Sequence, residues 1–406
     1  MIFSPNANPI RFELIAETLR RAVAEVPAYS ELRAPRESSD NDEILHILRT
    51  FPIAGKEDLR KDLSSFVSTS YHPETLREVF TGGSSGVPLR LLRDRSEFRL
   101  ENSFVERAWA PFGLEATDQI VVLRARADPR SEDGIKYIDK KGVAWVSAFN
   151  LEEAAMDRIL NNIIALKPAL IRGFGSLVSR LFAHASKVGR TLPALKGVAY
   201  SSDEMAPHER AFIRNELGIK LISLYGQAER AAMAASDTTS DLHSCFEDYG
   251  FIELLRSDGS MIDEPDEQGE IVSTSLFKRA TAMIRYRTGD ISSWATIGSH
   301  AQSRQLNGID GRSGAILTDR DGRPFAFSWD MKDSILKHLP IDVCVQFVQS
   351  RRGEITVKLD CGKRPDVNRV LENLEAIREK FDIRFEWNAT LHTAPNGKRQ
   401  LFVVSK

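Results

Sequence analysis

Apolar residues recur at three- and four-residue intervals through RFELIAETLRRAVAE (11–25), which predicts an amphipathic helix. The stretch that follows, VPAYSELRAPRESSDNDEILHILRTFPIAGKEDLRKDL, reads as loop and short helix, with RESSDNDE a solvated turn. Two strand-like runs, LREVFT and PLRLLRD, flank TGGSSGVP (81–88), so a hairpin or bend with the glycines at its tip is predicted. DRSEFRLENSFVERAWAPFG (94–113) predicts a helix closed by Gly113, and QIVVLRA a buried strand. LEEAAMDRILNNIIALK predicts a helix capped by Asn150 and stopped before Pro168. Next come strand, turn and helix (ALIRGFGSLVSRLFAHASKVG), strand and loop (LKGVAYSSDEM), helix (PHERAFIRNELG), and strand and loop (KLISLYGQAE).

Strands alternating with helices over 115–230 predict an α/β domain with a largely parallel sheet, whose ligands lie beyond the carboxyl ends of the strands. From GFIELL onward the texture changes to strands and turns. The last hundred residues read as strands around helices at 328–338 and 365–380, a small α+β unit. The predicted boundary is the glycine-rich NGIDGRSGA, near 308–315. The expected architecture is therefore α/β, a large N-terminal domain (1–310) with mixed and parallel sheets and a small α+β C-terminal domain (311–406).

Composition narrows the class. A chain of 406 residues exceeds one ordinary domain, and 42% hydrophobic with 28% charged residues is the make-up of a soluble globular protein. A net charge of −2 gives no sign of a nucleic-acid partner or an acidic membrane surface. Cys245, Cys344 and Cys361 are odd in number and widely spaced, which argues against a disulfide framework and fits a reducing compartment. MIFSPNANPIRFELI lacks the basic region and apolar run of a signal peptide, and the apolar runs are too short to span a bilayer. A cytoplasmic location is the expectation.

Five segments carry chemistry. Thr81, Gly82, Gly83, Ser84, Ser85 and Gly86 present unhindered N–H groups and hydroxyls that can close around anionic oxygens, or simply turn a corner. A Walker loop is excluded, because Val87 and Pro88 stand where its lysine would be. YGQAE (225–229) supplies an aromatic face for a base and, in Glu229, an oxygen ligand for Mg²⁺; the bland reading is a surface loop. YRTGDISSW puts Asp290 on a turn, where it can accept from two vicinal hydroxyls, although TGD is also an ordinary turn. GIDGRSGAI offers Arg312 as a phosphate or ribose donor, or a solvated arginine. APNGKRQ carries Lys398 on a turn, a place where most lysines are exposed and inert.

Taken in order, with VPAYSEL, FPIAGKEDLR and LIRGFGSLVSRLFAHA, these segments resemble the adenylate-forming superfamily of acyl-CoA synthetases. Within it they are similar to the phenylacetate-CoA ligase branch and its capsule-biosynthesis-like relatives, over nearly the whole chain. Gly175 stands where that branch usually has proline. The bland readings hold segment by segment but do not account for the shared order.

The resemblance implies a large adenylate-forming domain followed by a small mobile one, pivoting about 308–314. It implies ATP-dependent activation of a small, aromatic carboxylic acid to an acyl-adenylate with release of pyrophosphate, then transfer to CoA. The same resemblance implies that Thr81 to Gly86 hold the β- and γ-phosphates, and that Ser201, Ser202 and Asp203 line the adenine with Glu204, while Tyr225, beside Gly226, stacks on it. Glu229 would bind Mg²⁺, Asp290 the ribose hydroxyls, Arg312 the ribose or phosphate, and Lys398 the carboxylate and α-phosphate. Tyr137, Trp145, Phe149, Phe174 and Tyr200 are candidates for the acid pocket, or equally for the core. Dimers are common in the branch.

Two departures qualify the picture. Val87 replaces the loop lysine that precedes the family's proline, and Ser313-Gly314-Ala315 replaces the acidic residues that usually follow Gly-Arg. The acceptor is accordingly more open than the adenylation, and a carrier-protein thiol or an amine is the alternative, including nitrite activation for N–N bond formation. A non-catalytic nucleotide-binding relative is the contrasting expectation. His243 and Cys245 are too few for a closed zinc site, and His243 reads as structural or pocket-lining.

Overall fold

The computed structural model describes residues 10–81, 89–124, 135–138, 142–147, 153–192, 195–203, 205–277, 279–297, 304–309, 316–326, 339, 343–360, 375–392 and 402–404. The chain divides into two compact units, Met1–Pro111 with Ser223–Ile309, and Phe112–Ile222 with Asp310–Lys406. Among the described residues no helix is long and apolar enough to cross a membrane.

In the first unit, helix Phe12–Glu25 buries Phe12, Ile15, Leu19 and Ala22, as its periodicity predicts. These pack with Ile44, Ile47 and Leu48 of helix Asn41–Thr50 and with Tyr29 and Phe51. The second helix lies inside the stretch expected to be loop and short helix. Asp40 starts it by accepting from the Glu43 N–H at 2.9 Å.

This helical layer is tied to a sheet whose strands run Gly250–Leu255, Gln268–Ser275, Tyr286–Thr296, Gln305–Leu306, His243–Cys245, Met233–Ser236 and Leu221–Gly226, each antiparallel to the next. The tie is a buried arginine. Arg285 pairs with Glu253 at 3.1 Å while its Nη1 donates to the carbonyls of Arg49 at 3.0 Å and Phe51 at 3.3 Å. Ala54 then forms an isolated bridge beside Tyr286, donating to the Arg285 carbonyl at 3.2 Å and accepting from Arg287 at 2.8 Å.

The predicted hairpin forms. Arg77–Phe80 pairs antiparallel with Arg90–Arg93, from Arg77 opposite Arg93 to Phe80 opposite Arg90. Thr81 and Leu89 close it, the Thr81 N–H donating to the Leu89 carbonyl and the Leu89 N–H to Thr81 Oγ1, both at 3.0 Å. Helix Arg95–Ala108 follows, then a short turn of 3₁₀ helix at Ala110–Phe112, in the first unit as far as Pro111.

The second unit holds the predicted parallel sheet. Gly197–Ser201, Leu170–Phe174, Ile120–Arg124 and Val143–Ser147 are parallel neighbours in that order, with Ile135–Ile138 antiparallel at the edge. Strands such as IVVLR are apolar on both faces because helices cover them. Met156, Ile159 and Leu160 of helix Glu153–Leu166 and Val178, Leu181 and Phe182 of helix Gly175–Lys187 pack with Val121, Leu123, Ile171 and Val198. Gly113 terminates the preceding segment in the left-handed region (φ 61°), the conformation glycine tolerates.

The same unit contains a four-stranded sheet in the order Asp382–Trp387, Glu354–Asp360, Cys344–Gln349, Phe402–Val404. Its core is Val345, Phe347, Ile355, Val357, Leu359 and Phe381, joined by Ala206. The predicted cap Asn150, the predicted helix 328–338 and the start of the predicted helix 365–380 lie outside the described residues, while Glu375–Arg378 is helical.

Candidate active site

Strand Leu221–Gly226 delivers Tyr225 and Gly226 to a turn in which the Arg230 N–H donates to the Gln227 carbonyl at 2.9 Å. Glu229 sits on that turn with its side chain buried. A buried carboxylate needs donors or a cation. Glu229 Oε1 receives the Tyr286 hydroxyl at 3.2 Å and lies 3.2 Å from Lys56 Nζ. Lys56 begins the short helix Lys56–Lys61, and the Ala54 bridge sets it beside the strand that carries Tyr286.

Four residues further along that strand is Asp290. Gly289 takes a left-handed φ of 78°, and the Asp290 N–H donates to Thr288 Oγ1 at 3.1 Å. Thr288 is itself fixed by donating to the Ile271 carbonyl at 2.7 Å. Asp290 Oδ2 accepts from the Tyr225 hydroxyl at 3.0 Å. Burial, then the charge of Asp290, holds the Tyr225 phenol well above its ordinary pKa, and Glu229 pushes the same way. Both carboxylates therefore lie within electrostatic reach of one tyrosine. Residues 56, 225, 229, 286 and 290 form a single constellation.

The remaining expected site residues lie in the second unit. Tyr200 is buried and belongs to its core, with Phe174 packed against that core and opposite Ser201 in the sheet register. Ser201 is half-buried; Ser202 is exposed with a left-handed φ of 73°. The Asp203 carboxylate accepts from Ser176 Oγ at 2.5 Å and from the Ser176 N–H at 3.3 Å, which anchors the start of helix Gly175–Lys187. Trp145 is half-buried, and the Arg124 guanidinium lies 4.2 Å from its ring centre. Tyr137 lies opposite Trp145 on the edge strand; its side chain is outside the described residues. Gly82, Gly83, Ser84, Ser85, Gly86, Phe149, Glu204, Arg312, Gly314 and Lys398 are also outside them, and of the residues expected to hold the phosphates in the segment 81–86 Thr81 is described.

Lys56 and Tyr286 were not assigned from sequence. One signal was available. A lysine at the first position of a helix opposes the macrodipole, so an anion nearby is needed to favour it.

Among the described residues there is no group of three or more His, Cys, Asp or Glu that could hold a metal. A lone buried carboxylate suits Mg²⁺, which takes one or two protein oxygens and completes its shell with phosphates and water. Glu229 fits that ion. Burial and the Glu247 charge push the Cys245 thiol far above the ordinary range.

No family model matches the chain. It is 24% identical over 354 residues to the phenylacetate-coenzyme A ligase of Pseudomonas putida, covering 85% of this chain and 79% of that protein. It is 24% identical over 350 residues to the phenylacetate-coenzyme A ligase of Escherichia coli (strain K12), covering 83% and 78%. Among solved structures it is similar to a 2-hydroxyisobutyryl-CoA ligase in the postadenylation state in complex with R3-HIB-AMP, with a TM-score of 0.72 at 16% identity, covering 97% of this chain and 89% of that one. The fold is therefore that of adenylate-forming CoA ligases. In sequence the chain is similar to phenylacetate-coenzyme A ligases over most of its length.

Proposed function

We propose that the protein activates a small aromatic carboxylic acid with ATP and transfers the acyl group to CoA. A carboxylate oxygen of the acid attacks the α-phosphorus, pyrophosphate leaves, and an acyl-adenylate remains. The CoA thiolate sulfur then attacks the acyl carbon, and AMP leaves with the carboxylate oxygen. The observation that carries this reading is the placement of Glu229 and Asp290 around one strand, Glu229 accepting from the Tyr286 hydroxyl and Asp290, four residues further along, from that of Tyr225.

Two anions must be brought together, so the site has to position them and offset their charge. Asp290, oriented by Tyr225 and Thr288, accepts from the ribose hydroxyls. Tyr225 receives the adenine. Glu229 would hold Mg²⁺, which would supply positive charge against the phosphates. Lys56, next to Glu229, supplies a protein cation at the same place, where Val87 leaves the glycine loop without one. Thr81 to Gly86 and Arg312 complete the phosphate and ribose contacts. Lys398 brings the carboxylate and the α-phosphate together.

The separate four-stranded sheet formed by strands beyond residue 343 supports treating 311–406 as the small domain that rearranges between the half-reactions, about a pivot at 308–314, and 1–310 as the large one. Trp145, half-buried in mid-strand, and Phe174, half-buried at the carboxyl end of its strand, are suited to line an aryl pocket. Pyrophosphate release measured over a panel of aryl acids, with CoA, with amines, with a carrier-protein thiol and with no acceptor, tests the assignment. Release with an aryl acid that is accelerated by CoA is expected. An absence of acid-dependent release across the panel would refute it.

A further inference from the structure

Two contacts bracket Glu229 along the chain, and both run to the segment 93–101. On one side the Arg93 guanidinium donates from Nη2 to the Ala228 carbonyl. On the other, Arg230 Nη1 donates to the Glu97 carbonyl at 3.2 Å, and Arg230 Nε lies 3.5 Å from Glu101 Oε2. Both guanidinium groups face the Phe98 ring, at 5.9 Å for Arg93 and 5.0 Å for Arg230. Arg93 is also the last residue of the hairpin's second strand, Arg90–Arg93. One side chain therefore links that hairpin to the peptide immediately before Glu229.

The arrangement is costly. Arg93 is 6% exposed, and its buried Nε has no hydrogen-bond partner. It stands directly opposite Arg77 in the hairpin, whose guanidinium lies 5.8 Å from the same ring. Burial, then the like charge of Arg230, lowers the Arg93 pKa to about 10, with Glu97 and Glu101 offsetting part of this. Arg230 adds a left-handed φ of 57°, unfavourable for a non-glycine residue. An apolar residue at position 93 would remove most of these penalties and would also release the Ala228 carbonyl.

We propose that Arg93, braced by Phe98 and Arg230, is a positioning residue that fixes Glu229 relative to the hairpin carrying the glycine-rich segment. The proposal rests on the assignment of Glu229 to the nucleotide's divalent cation. Arg93 acts through the turn and touches neither nucleotide nor metal.

The test is calorimetric titration of the full chain with ATP, in MgCl₂ and in EDTA. The proteins compared are wild type, Arg93→Met, Arg93→Lys, Glu229→Gln and the double variant Arg93→Met/Glu229→Gln. Arg93→Met is expected to weaken binding about tenfold or more in Mg²⁺, the loss of one charge-assisted hydrogen bond, and under about twofold in EDTA. In the Glu229→Gln background it should add under about twofold, because the two residues act as one unit. Should Arg93→Met fail to fold, Arg93→Lys makes the same comparison, keeping the charge but losing the planar fork. Equal weakening in both media, or full additivity with Glu229→Gln, overturns the positioning role and leaves Arg93 a packing residue. A wild type that binds ATP equally well in Mg²⁺ and EDTA overturns the assignment of Glu229 itself, and this proposal with it.

Discussion

Replacing Lys56 with methionine isolates the charge beside Glu229. Methionine keeps most of the volume and removes the ammonium. At 3.2 Å the pair attracts by about 5 kcal/mol at an effective dielectric of about 20, before desolvation is counted. Removing one partner of a fully buried pair costs about 3–5 kcal/mol. The Lys56 side chain is 23% exposed, so water reaches it and offsets part of that loss. A fall of about 1–3 kcal/mol in unfolding free energy is expected, read from urea midpoints without added metal. The kinetic effect should be larger, because a preorganised cation near developing charge contributes about 10²–10³ in rate. Pyrophosphate release at saturating acid should fall by that factor. Mg²⁺ should bind at least as tightly, since the competing ammonium has left Glu229. Wild-type turnover together with wild-type stability would refute the reasoning, because a salt bridge of this burial and geometry would then do nothing measurable.

Tyr225→Phe removes the donor to Asp290 while keeping the ring, and should raise the KM for ATP about fivefold with little change in the KM for the acid. Gly250→Ala would place a methyl group 2.1 Å from the Ala231 carbonyl oxygen, just past the Glu229 turn. A loss of about 1–3 kcal/mol in stability is expected from urea unfolding, with activity falling alongside. Tyr29, Tyr225 and Tyr249 have phenols raised by burial, so the folded state keeps protons that the unfolded state gives up. Stability from these groups is therefore full below about pH 10 and falls as pH rises further, and tyrosinate absorbance should appear together with loss of ellipticity.

The reach of the sequence followed the range of the interactions. Helix Phe12–Glu25 and the strand–helix alternation of the second unit were legible because their apolar spacing is local. The hairpin was legible because glycines punctuate two apolar runs. Glu229 and Asp290 stood out because each sits in a short, ordered motif. Lys56 did not, since its partner lies far along the chain and contacts such as the Ala54 bridge bring the two together. Strand partners were equally non-local. Leu221–Gly226 follows the parallel alternation yet pairs antiparallel with Met233–Ser236. The Asp203 carboxylate was expected at the adenine, and its bonds to Ser176 were visible only once the two loops met.

Arg285 gives the first sixty residues a status their sequence does not advertise. Its guanidinium reads two carbonyls of the helical layer while neutralising a carboxylate inside the sheet. A protein shortened to begin near the hairpin would leave those donors unmet and strip the ammonium from Glu229 in the same cut. What looks like an amino-terminal preface is wired to the surroundings of Glu229, and trimming it would disturb that cluster together with the packing on Phe251 and Ile284.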